Sequence, residues 1–397
     1  MKILSIKLIY NLIQKTIGKG THKLHEPLFC GNEIEYINDT IKKNFVSASG
    51  EYVNKFEKEI RRFTKAKYSI SVINGTQAIF ISLKVLGVQK DHEVLVPALT
   101  FVGTVNAISY TGASPHFIDS NIKDFGIDCK KLDIYLASIT KIVGNRCINK
   151  KTGKIIFAII PVHIFGHACD IDNIIKLSKK YKLKVIEDAA EAFGSFYKKK
   201  HLGLFGDLGC FSFNGNKIIT TGGGGVIITQ KRKIAKRIKH LVSTAKVNHK
   251  WEYIHDDIGY NFRMPNINAA LGVAQLENIK FFLKLKRKLF YKYKKNFNEL
   301  NGLSFFKENK NTKSNYWLQT IILDKKYKNL KNKLLNYCYK KSIYLRPVWK
   351  IISKLKPYKK YQKMNLSGAE DIYSRTINLP SSQSLVLKLP RIKINKL

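Results

Sequence analysis

FSFNGNKIITTGGGG, residues 211–225, places one lysine in a run of small and polar residues and follows it with four glycines. GCFSF (209–213) and GGVIIT (224–229), which overlap its two ends, are short, apolar and partly β-branched, so both read as strands. Lys217 therefore follows a strand and sits among neutral residues, whereas most lysines of this chain stand among other lysines. An amine so placed can act as a nucleophile. The tetrad Gly222–Gly225 lacks the Lys-Ser/Thr ending of a P-loop, so it does not announce a nucleoside triphosphate. Glycines there let the backbone pass close to a site.

Outward from this stretch, KYSISVIN (67–74), EVLVPA (93–98), SPHFIDS (114–120), KIIFAIIPV (154–162) and LKVIEDA (183–189) also read as strands, separated by helix-compatible segments such as Thr76 to about Leu86. Near-continuous apolar strands alternating with helices predict an α/β fold with a mainly parallel sheet covered on both faces. In such sheets, ligands sit at the carboxyl ends of strands. After Asn266 a long helical pattern begins, and from about 302 LSFFKE, NYWLQTIIL and SIYLRPVW read as strands of a smaller domain. The predicted division is an N-terminal amphipathic extension (1–26), a large domain (27–285) and a small C-terminal α/β domain (286–397).

The 397 residues carry a formal net charge of +43. That charge invites a nucleic-acid reading. However, lysine is spread along the whole chain with Ile, Asn and Tyr, and no zinc-finger, RNP-type or basic-zipper pattern occurs. The expectation is no dedicated nucleic-acid binding; an anionic small substrate suits the same field. The six cysteines lie far apart without a CxxC pair, which predicts free thiols in a reducing cytosol, no metal site and a cytoplasmic protein. The segment from Ile3, ILSIKLIYNLIQK, is too short and too interrupted to span a bilayer. It reads as an amphipathic helix docked on its own protein, with membrane-surface contact as the alternative.

The residues that follow strands carry chemistry. Gly75 and Thr76 open a helix, where free backbone amides and a hydroxyl bind anions. Phe101 follows EVLVPA and can either stack on a flat ring or pack in the core. Glu187 and Asp188 end LKVIEDA, where a carboxylate can cap structure or hold a protonated ring nitrogen. Ser212 can offer a hydroxyl to a phosphate. Phosphate donors, a stacking aromatic, a post-strand carboxylate and a later nucleophilic lysine, in this order, make a pyridoxal-phosphate site.

Longer motifs carry a resemblance. LHEPLFCGNEIEYI (24–37), FVSASGEYVNKFE (45–57), PVHIFGHACDID (161–172), EDAAEAFGSFYKKKHLG (187–203), GYNFRMPNINAALGVAQLE (259–277), KSNYWL (313–318), RPVWK (346–350) and INLPSS (377–382) resemble the DegT/DnrJ/EryC1/StrS aminotransferases. The branch most resembled makes UDP-4-amino-4,6-dideoxy-N-acetylglucosamine for bacillosamine and legionaminic acid. The resemblance implies a fold-type I pyridoxal-phosphate (aspartate aminotransferase-like) architecture. It also implies transfer of an amino group from L-glutamate to the C4 ketone of a UDP-N-acetyl-4-keto-6-deoxyhexose. A GDP-perosamine-type aminotransferase is the alternative within the class; a non-catalytic basic binding protein of the same fold is the alternative outside it. By resemblance, Lys217 is the Schiff-base lysine and proton shuttle, and Asp188 pairs with the ring nitrogen. Gly75, Thr76 and Ser212 hold the phosphate, Phe101 covers a ring face, and Glu191 stands where relatives contact the ring oxygen. Asn261 is expected to reach the cofactor of a partner subunit in a homodimer with shared sites. Arg263, Arg346 and Ser47–Gly50 are candidate substrate contacts. His163 and His167 are expected to structure their loop rather than to catalyse.

Overall fold

In the computed structural model, which describes residues 4–387, the alternating pattern becomes a nine-stranded sheet. Seven strands form its main path: β1 (Tyr68–Val72), β2 (His92–Pro97), β3 (Ser114–Ile118), β4 (Ile155–Ile159), β5 (Lys184–Asp188), β6 (Leu208–Ser212) and β7 (Gly225–Thr229). Their spatial order is β1-β7-β6-β5-β4-β2-β3. The pairs from β6 to β3 are parallel, and β7 alone runs against both of its neighbours. Every residue of β2 and of β7 is buried, as strands covered on both faces require. Ile156, Ile159 and Ile186 are fully buried at its centre; each such side chain contributes about 1.5–3 kcal/mol relative to an exposed one.

A hairpin absent from the sequence reading, Thr140–Val143 with Arg146–Asn149, pairs with β4 and completes the sheet. Its strands are four residues each and partly exposed, so no apolar run marks them. The long helical pattern after Asn266 resolves into two helices, Asn266–Glu277 and Ile279–Asn296. They break at Asn278, whose side-chain amide donates to the Ala274 carbonyl (3.4 Å) and competes with the helix ladder. The second helix carries the chain across residues 285 and 286 to a four-stranded antiparallel sheet, Leu303–Phe305, Gln319–Leu323, Thr376–Leu379 and Arg346–Pro347 in spatial order.

The N-terminal helix Ile6–Ile17 is capped by Ser5, whose hydroxyl accepts from the Leu8 amide at 3.3 Å. Its apolar stripe, Ile9, Ile13 and Ile17, packs into one buried cluster with Leu285, Leu289, Leu334 and Cys338. The stripe is thus covered by the protein itself, and the face left to solvent carries Lys7, Asn11 and Lys15. Among the described residues, no helix is long and apolar enough to cross a membrane.

Candidate active site

Strand register gathers the post-strand residues. Val72 pairs with Gly225, and Gly225 pairs with Ser212 on its other side. The helix Gly75–Leu86 starts immediately beyond this row. Its cap Asn74 accepts the Gln77 amide with its side chain (2.8 Å) and the Ala78 amide with its carbonyl (3.1 Å). That leaves the amides of Gly75 and Thr76 without an intrahelical acceptor. Gly75 lies so close to Ser212 that a Cβ on it would stand 2.8 Å from the serine Cβ. Gly225 is forced by the same crowding, since a Cβ there would meet the Asn74 backbone at 2.5 Å. One glycine of the tetrad thus lets β7 pass against the turn that presents Gly75 and Thr76.

β5 and the turn after it bring three carboxylates with three different tasks. Glu187 is fully buried and structural: it accepts the amides of Gly203 (2.8 Å), Phe205 (2.5 Å) and Gly206 (2.7 Å) and contacts His163 Nε2 (3.0 Å). Burial raises its carboxyl, but the His163 contact and the backbone donors outweigh that and hold it below the usual range. Asp188 is also buried, with Oδ2 accepting the Thr104 hydroxyl (2.6 Å) and Oδ1 the Ala190 amide (3.1 Å). Burial pushes its carboxyl up despite these bonds. Glu191 follows one turn later; its Oε2 accepts the Phe165 amide at 2.8 Å, and burial pushes its carboxyl up to about 7.

The Lys217 side chain is 13% exposed, with Nζ 3.5 Å from Glu191 Oε1, an ionic contact at the outer limit of hydrogen bonding. The same Nζ stands 4.0 Å from the ring centre of Trp317. Trp317 also donates its indole N–H to the carbonyl of Asn216 (2.7 Å), fixing the residue before the lysine. The carbonyl after it, of Ile218, accepts from the Gln383 amide (2.8 Å). Asn315 ties the far side together. Its amide donates to the carbonyls of Glu191 and Phe193 (2.9 Å each), and its Oδ1 accepts the Trp317 amide (2.8 Å). Buried Lys286 donates to the Trp317 carbonyl at 2.5 Å. The motif KSNYWL thus grips both the carboxylate turn and the lysine loop.

Phe101 is 55% exposed, so core packing does not account for it. A Cβ on neighbouring Gly103 would lie 2.7 Å from the Thr76 hydroxyl and 3.1 Å from the Phe101 ring, so the three crowd one corner. His163 is buried between Glu187 and Cys169, and His167 is buried against Phe306 and Tyr316 with burial pushing its imidazole down to about 3. Both histidines are therefore packed into their loop. Arg263 bridges Val72 through its backbone, beside the Gly75 turn, and its Nε is buried without a hydrogen-bond partner. Ser47 is anchored by the Asn266 amide, which donates to its carbonyl at 2.8 Å. Asn261 is exposed on the segment that bridges Ser243, and Arg346 is exposed on an edge strand. The following Trp349 reaches back to Phe165 with ring centres 5.2 Å apart, which draws the RPVWK segment toward the site.

Thr104, Asn315, Trp317 and Gln383 were not singled out from the sequence. Only the motif KSNYWL signalled two of them, without their roles. Among the described residues, no group of three or more His, Cys, Asp or Glu is placed to hold a metal ion. A groove of about 1150 Å³ between the helices Cys129–Ile139 and Ile171–Lys180 is lined by none of the site residues.

The arrangement suits a flat, phosphate-bearing ring. Gly75 and Thr76 open a helix against Ser212 with two amides lacking intrahelical acceptors, which is a geometry that can take an anion. A buried carboxyl destabilised by desolvation gains from a cationic ring nitrogen.

The model of the DegT/DnrJ/EryC1/StrS aminotransferase family matches residues 30–388. A GDP-perosamine synthase of Escherichia coli O157:H7 is 39% identical over 363 residues, covering 91% of this chain and 93% of that protein. A Campylobacter jejuni UDP-4-amino-4,6-dideoxy-N-acetyl-beta-L-altrosamine transaminase is 29% identical over 359 residues, 90% of this chain and 91% of that one. Among solved structures, Helicobacter pylori PseC, an aminotransferase involved in the biosynthesis of pseudoaminic acid, superposes with a TM-score of 0.81 at 24% identity. That match covers 91% of this chain and 94% of that one and shows the shared fold.

Proposed function

This chain belongs to the DegT/DnrJ/EryC1/StrS aminotransferase family, and from that premise we propose that it carries an amino group from L-glutamate to the C4 ketone of a nucleotide-linked 4-keto-6-deoxyhexose. It is a pyridoxal-phosphate-dependent sugar aminotransferase. The observation that carries the residue assignments is the meeting of Lys217, Glu191 and Trp317 in one largely buried group beyond the end of β5, where Asp188 stands. When bound, pyridoxal phosphate supplies the electron sink and the exchangeable carbonyl carbon.

The chain's own residues do the rest. Lys217 Nζ would hold that carbon and, as a free amine, would move a proton between the reacting carbons. Asp188 holds the proton on the ring nitrogen. The amides of Gly75 and Thr76, with the hydroxyls of Thr76 and Ser212, hold the phosphate, and Phe101 covers one face. A glutamate beside a phenolate oxygen would repel it if ionised. The carboxyl of Glu191, pushed up to about 7, can instead donate a hydrogen bond. Asn261, exposed in one chain, serves the site of a second copy in a homodimer. Arg263, Arg346 and Ser47–Gly50 face the sugar nucleotide, whose diphosphate the +43 chain attracts.

The motif resemblance supports a UDP-linked N-acetyl sugar. The 39%-identical relative, named a GDP-perosamine synthase, supports a GDP-linked sugar as the second reading. One experiment separates them: load the enzyme with cofactor, convert it with L-glutamate, then add UDP- and GDP-linked 4-keto-6-deoxyhexoses in turn. Amination of the UDP sugar with higher kcat/KM supports the first reading, and the reverse order replaces it with the second. Loss of neither ketone sinks the C4 assignment.

A further inference from the structure

The start of the helix Val102–Tyr110, capped by Phe101, supplies a second side chain to the site. Thr104, 2% exposed, donates its hydroxyl hydrogen to Asp188 Oδ2 at 2.6 Å. A hydroxyl has one hydrogen to give, so the contact of 3.1 Å between the Thr104 and Thr100 hydroxyls must run from Thr100 to Thr104. Thr100 is fully buried. The result is a directed chain, Thr100 to Thr104 to Asp188, that ends on one carboxylate oxygen while the Ala190 amide occupies the other. Such donors favour the ionised carboxylate, and hydrogen bonds in series strengthen one another.

We propose that Thr104, backed by Thr100, is a positioning residue that keeps Asp188 ionised and aimed at the ring nitrogen of the cofactor. This rests on the reading of the site as a pyridoxal-phosphate site. Of the donors to Asp188, the Thr104 hydroxyl reaches it from the first turn of the helix that Phe101 caps and that crowds Thr76 through Gly103. Five consecutive residues thereby coordinate the ring face, the phosphate corner and the ring-nitrogen partner. Burial alone destabilises the Asp188 anion, so removing its shortest donor shifts the balance toward the neutral acid, which has no charge to hold a pyridinium.

The test measures dissociation constants of two ligands for the full-length protein: pyridoxal phosphate, and its analogue with C–H in place of the ring nitrogen. In the unmodified protein the nitrogen-bearing cofactor is expected to bind more tightly. Thr104→Val, nearly isosteric, should shrink that preference by about tenfold or more, the worth of a hydrogen bond to a charged group. It should leave affinity for the analogue within about threefold. Thr104→Ser, which retains the hydroxyl, should restore the preference, and Thr100→Val should have a smaller effect in the same direction. Equal loss for both ligands, or an unchanged preference, overturns the inference. Failure of the unmodified protein to bind pyridoxal phosphate at all overturns instead the reading of the site.

Discussion

The amine of Lys217 and the carboxyl of Glu191 face each other at 3.5 Å, with side chains 13% and 6% exposed. This pairing joins the two loops that follow β5 and β6, so the chemistry of the lysine and the proton state of the glutamate are coupled. Pair energies at such sites depend strongly on the exclusion of water.

The first prediction concerns pH. In the folded protein the Glu191 carboxyl titrates near 7, whereas in the unfolded chain it titrates near the ordinary value of 4.5. Between those values the folded state binds the extra proton, so this group's contribution to stability is full below about 4.5 and is lost as pH rises through about 7. Glu191→Gln removes that loss. Thermal melts of the cofactor-free protein from pH 5 to 8 should show the variant gaining on the unmodified protein as pH rises, by about 3 kcal/mol at most. A difference constant with pH would contradict the shifted carboxyl.

Asn315 is the second test. Asn315→Ala strips the donors from the carbonyls of Glu191 and Phe193 and the acceptor from the Trp317 amide. Leaving buried polar groups unpaired should cost about 2–4 kcal/mol in denaturant unfolding. A cost under about 0.5 kcal/mol, within the range of an ordinary surface substitution, would show that the motif does not clamp the site.

Trp317→Phe separates ring from hydrogen bond. The ring under Lys217 Nζ stays, while the donor to the Asn216 carbonyl goes. Cofactor affinity should fall by about tenfold, the worth of one lost hydrogen bond, with the melting temperature little changed. Unchanged affinity would mean the lysine loop holds its own shape.

Gly225→Ala should destabilise by about 1–3 kcal/mol through overpacking, because the new Cβ meets the Asn74 backbone at 2.5 Å. Gly215→Ala, with nothing within 4 Å, is the control and should stay within about 0.5 kcal/mol in the same melts. Equal effects at both positions would remove the argument for close strand passage.

Much of this site was legible because α/β alternation places informative residues after strands. Gly75, Asp188, Ser212 and Lys217 each follow a readable apolar run; strand register then sets Ser212 beside Gly225 and Asp188 beside Cys210, and Gly75 closes on Ser212. Phe101 was ambiguous because an aromatic after a strand serves core and site equally; its exposure excludes core packing. Thr104, Trp317 and Gln383 were not legible. Their partners lie 84, 101 and 165 residues away, and no local periodicity encodes a contact at that separation. The hairpin Thr140–Asn149 escaped notice because its strands are short and half exposed. The break at Asn278 escaped because the apolar pattern runs through it without pause.

The most direct measurement is to load the protein with pyridoxal phosphate, reduce it with borohydride, digest it and locate the modified lysine by mass spectrometry. A stable pyridoxyl adduct is expected on the peptide carrying Lys217, lost in Lys217→Ala while the variant keeps its fold by circular dichroism. An adduct confined to other lysines of this lysine-rich chain, or amino transfer at the normal rate in Lys217→Ala, would contradict it.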